Sequence, residues 1–127
     1  MTNPLAPDAL ATYANFIAGR DAPAAALSGL IPDAHTAIAV ATHDLDFDED
    51  AVMAALGSAA GYIGVLGARR RIPDRLDRLR RRGATDAGIA RLHMPIGLPL
   101  KAATPWEIAV SVTAQIIAER RAPRRIA

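Results

Sequence analysis

The chain has 127 residues, 51% of them apolar but only 4% aromatic, and 15 Lys and Arg set against 13 Asp and Glu give a formal net charge of +2. That length fits one domain with a real core, and the abundance of alanine and leucine fits helices packed closely on a sheet of small residues. Cysteine is absent, which excludes disulfides, cysteine-ligated zinc, iron–sulfur clusters and thiolate catalysis; with no basic-then-apolar leader and no membrane-length apolar run, the sequence predicts a soluble protein of the reducing cytoplasm.

The first thirty residues are ambiguous. Asp8 to Tyr13 suits a helix, Asn15-Phe16-Ile17 a short strand, and Ala22 to Leu30 a small helix or turn. Thr36 to Thr42, TAIAVAT, and Tyr62 to Leu66 are short apolar runs that read as strands buried on two faces, as parallel sheets require. Between them a helix is expected, with Asp48 as its N-cap, Phe47 stapled against Val52, Leu56 continuing the apolar face and Gly57 ending it. Strand, helix and strand within about thirty residues form the crossover unit of a parallel sheet.

Ile72, Leu76 and Leu79 then mark an amphipathic helix with Pro73 in its first turn and Gly83 at its end. A short helix follows Thr85, and His93 to Gly97 reads as a brief final edge strand. Thr104-Pro105-Trp106-Glu107 opens the last helix: Thr104 caps, Pro105 takes the first position and Glu107 closes a capping box. Ile108, Val112 and Ile116 supply its core-facing stripe, and Trp106 reads as a core or interface anchor.

Charge is concentrated even though the net is small: eight of the fifteen basic residues lie between Arg69 and Arg82. Gly67 stands where a parallel strand ends and a helix begins, the place where open sheets bind ligands and free N–H groups favour an anion. Arg69 and Arg70 would add bidentate donors there. The alternative is a solvated basic helix with internal Asp–Arg pairs through Asp74 and Asp77. Thr42, His43 and Asp44 end the other strand, so they are expected on the same rim if the two strands are neighbours.

Other chemistries find little support. Gly61, Gly64 and Gly67 do not make a G-x-G-x-x-G turn. The acidic run Asp44 to Asp50 fails as a calcium loop, because Glu49 and Ala55 stand where a glycine and a bidentate glutamate belong, so capping and dipole compensation account for it. His35, His43 and His93 are too scattered for a metal site, and no nucleophile elbow is present. Without interleaved aromatics, the basic patch argues against nucleic acid.

The succession TAIAVATHD, YIGVLGARR and HMPIGLPLKAATPWEIA resembles the C-terminal Rossmann-type domain of the XdhC/CoxI family, accessory proteins of xanthine dehydrogenase and carbon monoxide dehydrogenase-like molybdoenzymes. The resemblance runs from about Asp21 to Ala118. It implies an α/β fold, a partial Rossmann-like, doubly wound parallel sheet flanked by helices and lacking the first βαβ unit. It further implies a role in molybdenum cofactor maturation or insertion, with the molybdoenzyme and a cysteine desulfurase as partners. Residue by residue, His43 and Asp44 match the family's T-H-D, Gly67, Arg69 and Arg70 its L-G-S-R-R, and Pro95 to Gly97 its P-I-G-L. Two departures stand out: Ala68 replaces a serine, and Leu98-Pro99-Leu100-Lys101 replaces L-D-I-G. The family's first strand, glycine-rich turn and second strand are expected to be missing, leaving a sheet edge for a homodimer, a separate subunit or a rearranged N-terminal segment to cover.

Three functional readings follow. The first is a non-catalytic binding module for molybdenum cofactor, holding it with Thr42, His43, Asp44, Gly67, Arg69 and Arg70. The second is an NAD(P)- or nucleotide-binding oxidoreductase-like module, which lacks the pyrophosphate turn and the acidic ribose ligand. The third is an assembly scaffold with no ligand.

Overall fold

The computed structural model describes residues 31–41 and 45–121, with 45–47 described by backbone alone. The elements expected in residues 1–30 fall outside this range, as does the side chain of Phe47. The described elements are β1 (Ala37–Val40), α1 (Leu45–Leu56), β2 (Tyr62–Val65), a 3-10 turn (Arg69–Arg71), α2 (Ile72–Arg81), α3 (Asp86–Ile89), β3 (Leu92–His93) and α4 (Pro105–Arg121).

The strands form one parallel sheet in the order β1-β2-β3. Pairing Ile38 with Ile63 and Val40 with Val65 lines the β-branched side chains along one face, because side chains alternate along a strand. That face, with Leu92 from β3, packs against Ala51, Val52 and Ala55 of α1 and Leu76 and Leu79 of α2. The opposite face carries Ala37, Ala39, Tyr62 and Gly64, and Gln115 of α4 reaches it by accepting a 2.6 Å hydrogen bond from the Tyr62 hydroxyl. Helices thus cover both faces of an open parallel sheet, the partial Rossmann-like α/β arrangement the sequence predicts. Every residue of β2 is buried, whereas Ala37 and Ala39 of β1 are half-buried. The two-face burial expected of both strands is therefore complete only for the central one.

Helix ends are set by local chemistry. At the end of α2, Gly83 takes φ +99°, and the Ala84 and Gly83 amides donate to the carbonyls of Leu79 and Arg80 at 3.0 Å each. This paired closure favours glycine, whose missing Cβ removes the clash of a left-handed residue. α3 is capped by the Thr85 hydroxyl, which accepts from the Gly88 amide at 3.0 Å. At α4 the expected capping box is present: Glu107 N–H donates to Thr104 Oγ1 at 3.2 Å, and Thr104 N–H donates back to Glu107 Oε1 at 2.9 Å.

Two expectations are corrected. α1 begins at Leu45, three residues before Asp48, so Asp48 is an interior residue of the helix and not its cap. Its carboxylate is buried against a guanidinium from α2, and tertiary pairing has displaced capping as its role. Trp106 is 83% exposed, which removes it from the core; it sits on the outer side of α4, on the helix face opposite the half-buried Ile108, Val112 and Ile116.

Candidate functional site

Because β1 and β2 are parallel and in register at Val40 and Val65, the chain leaves both strands at the same edge of the sheet. The Leu66 amide extends the ladder by one step, donating to Val40 O at 2.8 Å. From β1 the chain passes Ala41 into Thr42, His43 and Asp44, which lie outside the described residues. From β2 it passes Gly67 and the extended Ala68 into the arginine turn.

That turn has the makings of an anion site. Neither the 3-10 turn nor α2 has a side-chain cap: the cap position of the turn is Ala68, where a hydroxyl could have served, and that of α2 is Arg71, whose amide donates to Ala68 O at 3.0 Å. N–H groups left without side-chain partners at a helix start carry partial positive charge outward. Arg69, Arg70 and Arg71 are exposed and form no ion pair among the described residues.

The later arginines behave differently. Arg78 meets Glu49 at 2.8 Å and Arg82 meets Asp50 at 2.8 Å, both across from α1, while Asp77 gives the one helix-internal pair, with Arg80 at 3.6 Å. The acidic run of α1 is therefore a counter-charge strip for α2. Arg75 does more: its Nη1 donates to Leu66 O at 3.0 Å and its Nη2 to Asp48 Oδ2 at 3.2 Å. A methyl group at Gly67 would run into this guanidinium, so Gly67 has a packing role in addition to its place in the turn. Arg75 escaped the sequence reading, although a signal existed. It falls between Ile72 and Leu79 on the apolar stripe of the helix, where a charge needs a buried partner.

Beside the turn, a cleft of about 290 Å³ opens between α1 and α2, with Val52, Leu79 and Met94 as apolar lining and Arg71, Arg75 and Arg78 as its basic lining. A second polar cluster occupies the other end of β2. His93 stacks on Tyr62 with ring centroids 4.8 Å apart and 11° between planes, and its Nε2 lies 3.9 Å from Glu119 Oε1. Burial, reinforced by the Glu119 charge, pushes the Tyr62 hydroxyl up to about 12. Among the described residues no group of three or more His, Asp or Glu is placed to hold a metal, and no helix is long and apolar enough to cross a membrane.

The XdhC Rossmann domain family matches residues 4–116, which extends the resemblance to residues before Asp21. A crystal structure described as a xanthine dehydrogenase from Bacillus halodurans superposes with a TM-score of 0.65 at 29% identity, over 84% of this chain and 30% of that one. The uncharacterized protein YqeB of Escherichia coli K12 is 39% identical over 70 residues, 55% of this chain and 13% of YqeB. The chain thus spans less than a third of either relative. With a parallel sheet, an uncapped arginine turn on its carboxyl edge and a family match along most of its length, this chain belongs to the XdhC family through its Rossmann domain.

Proposed function

We propose that the protein is a non-catalytic accessory module for molybdoenzymes of the xanthine dehydrogenase type, which holds molybdenum cofactor as cargo during its maturation or insertion. The observation that carries this reading is the turn after β2: the uncapped start of the 3-10 turn beside three exposed arginines with no ion pair among the described residues. That donor set suits the phosphate end of a pterin cofactor, with Gly67, Arg69 and Arg70 as its ligands and Thr42, His43 and Asp44 completing the rim from the β1 side. Membership of the XdhC family and likeness to a structure described as a xanthine dehydrogenase support the choice of partner. A cysteine desulfurase is the further partner in the same reading.

Thermal shift against molybdopterin, CTP, NADH and inorganic phosphate tests it, since a ligand selective for the folded state raises the melting temperature. Molybdopterin should stabilise the chain, with the shift shrinking as salt rises and disappearing in R69A/R70A, whose unliganded melting temperature should stay close to that of the parent. Stabilisation by NADH with no response to molybdopterin would overturn the reading in favour of a nicotinamide site.

A further inference from the structure

α4 has two apolar faces. The inner one, with Ile108, Val112 and Ile116, is half-buried on the side where Gln115 meets Tyr62; the outer one carries Trp106 at 83%, Val110 at 61% and Ile117 at 55% exposure, with exposed Thr113 between them. Leu100, 55% exposed, and Ala102 extend this surface into a shallow groove against Trp106 and Val110. From 106 to 117 the only charged residue is Glu107. One apolar stripe suffices to face the sheet, and among the described residues nothing covers the second, so it asks for another partner.

We propose that the outer face of α4 docks on the same face of a second copy of this chain, antiparallel, about a two-fold axis between Val110 and Thr113. The stripe is self-complementary. Its members follow one another by four, three and four residues, a spacing that reads the same from either end, so reversing one copy sets Trp106 over the partner's Ile117 and Val110 over the partner's Thr113. That symmetry suits an isologous contact, in which each residue pair recurs with the two copies exchanged.

Charge agrees with the direction of pairing. Glu107 lies in the first turn of α4, and Arg120 and Arg121 in the last. Antiparallel packing brings each acidic start beside the partner's basic end and sets the two helix dipoles side by side in opposite directions, whereas parallel packing would place like charges together. The apolar area is modest. At roughly 200 Å² for an aromatic side chain and about 100 Å² for an aliphatic one, the exposed fractions of Trp106, Val110, Ile117 and Leu100 give on the order of 350 Å² per copy. That is less than half of the ~800 Å² each partner contributes to a standard interface, so the contact is a weak and reversible one, with Trp106 and Ile117 flanking the axis and charged residues at the rim.

Sedimentation velocity on the full chain at micromolar concentrations is the test, read together with the emission of Trp106, the chain's single tryptophan. A reversible dimer is expected, with emission shifting to the red on dilution. Trp106→Glu and Ile117→Glu should each weaken the dimer at least about thirtyfold, the range of an interface hot spot, while far-UV circular dichroism stays at the parental signal. Arg121→Glu, which leaves the apolar stripe intact, should weaken it less and reverse its salt dependence, because salt then screens a repulsion with the partner's acidic helix start. Three results overturn the proposal: a concentration-independent monomer with exposed tryptophan, a monomer whose tryptophan is shielded by its own chain, or a dimer indifferent to both Trp106→Glu and Ile117→Glu, which would move the contact elsewhere, for example to the β1 edge.

Discussion

Arg75 and Asp48 meet 3.2 Å apart with side chains 13% and 4% exposed, and the same guanidinium holds the carbonyl of Leu66. One side chain therefore joins α1, α2 and the carboxyl end of β2 beneath the arginine turn. Removing one partner of a buried pair leaves a charge without compensation, so Asp48→Ala should cost about 3 kcal/mol or more. Asp48→Ala combined with Arg75→Ala should cost clearly less than the sum of the two single changes. Urea denaturation of the three variants measures the coupling, and strict additivity would count against the pair as a structural unit.

Gly67→Ala places a methyl group against the Arg75 guanidinium. Because Arg75 is pinned at both ends, the expected cost is about 1–3 kcal/mol, the range of an overpacked site. In an Arg75→Ala background the same substitution should be close to neutral. A purely ligand-binding role for Gly67 predicts the opposite pattern: unchanged melting, with loss of any anion-induced shift.

Tyr62 gives a pH dependence of known sign. Its hydroxyl is pushed from 10.0 up to about 12 in the folded chain, so the unfolded chain loses the proton first as pH rises. Stability contributed by the neutral phenol is complete below pH 10 and is lost between pH 10 and about 12. Melting temperature should fall across that window in the parent and fall less steeply in Tyr62→Phe. At neutral pH, Tyr62→Phe should cost about 1 kcal/mol, for the hydrogen bond to Gln115.

Backbone conformation separates three loop positions. Lys101 holds φ +56° where relatives are expected to carry glycine, and a left-handed conformation costs an ordinary residue about 1 kcal/mol; Lys101→Gly should therefore stabilise by up to that amount. Gly83 and Gly97 share a positive φ, but a Cβ at Gly83 meets nothing within 4 Å while one at Gly97 meets Ser111 Oγ. Gly83→Ala should cost about 1 kcal/mol and Gly97→Ala roughly 2–3 kcal/mol, because steric conflict adds to the dihedral strain. Chemical denaturation ranks all three.

Much of the fold is legible along the chain because the signals are local. TAIAVAT and YIGVL mark two strands by continuous apolarity, Gly83 ends α2 by its tolerance of positive φ, and Thr104 with Glu107 starts α4 through hydrogen bonds three residues apart. The candidate site is legible in the same way only as far as Gly67, Arg69 and Arg70, which share one turn. Whether Thr42, His43 and Asp44 converge on them is a matter of tertiary placement. Asp48 was misread for a related reason: its neighbours in sequence suggest a cap, and its true partner is 27 residues away.

The linear sequence by itself determined the class of fold, the position of most helix ends and the cluster of arginines, since each depends on contacts spanning a few residues. Only the tertiary structure decided which of those arginines are neutralised. Arg75, Arg78 and Arg82 face the carboxylates of α1, whereas Arg69 to Arg71 precede the packed turns of α2 and meet no carboxylate among the described residues. It also decided that α4 carries a second apolar face turned to solvent, because which side of a helix is covered depends on the neighbours that fold against it and not on the helix's own periodicity.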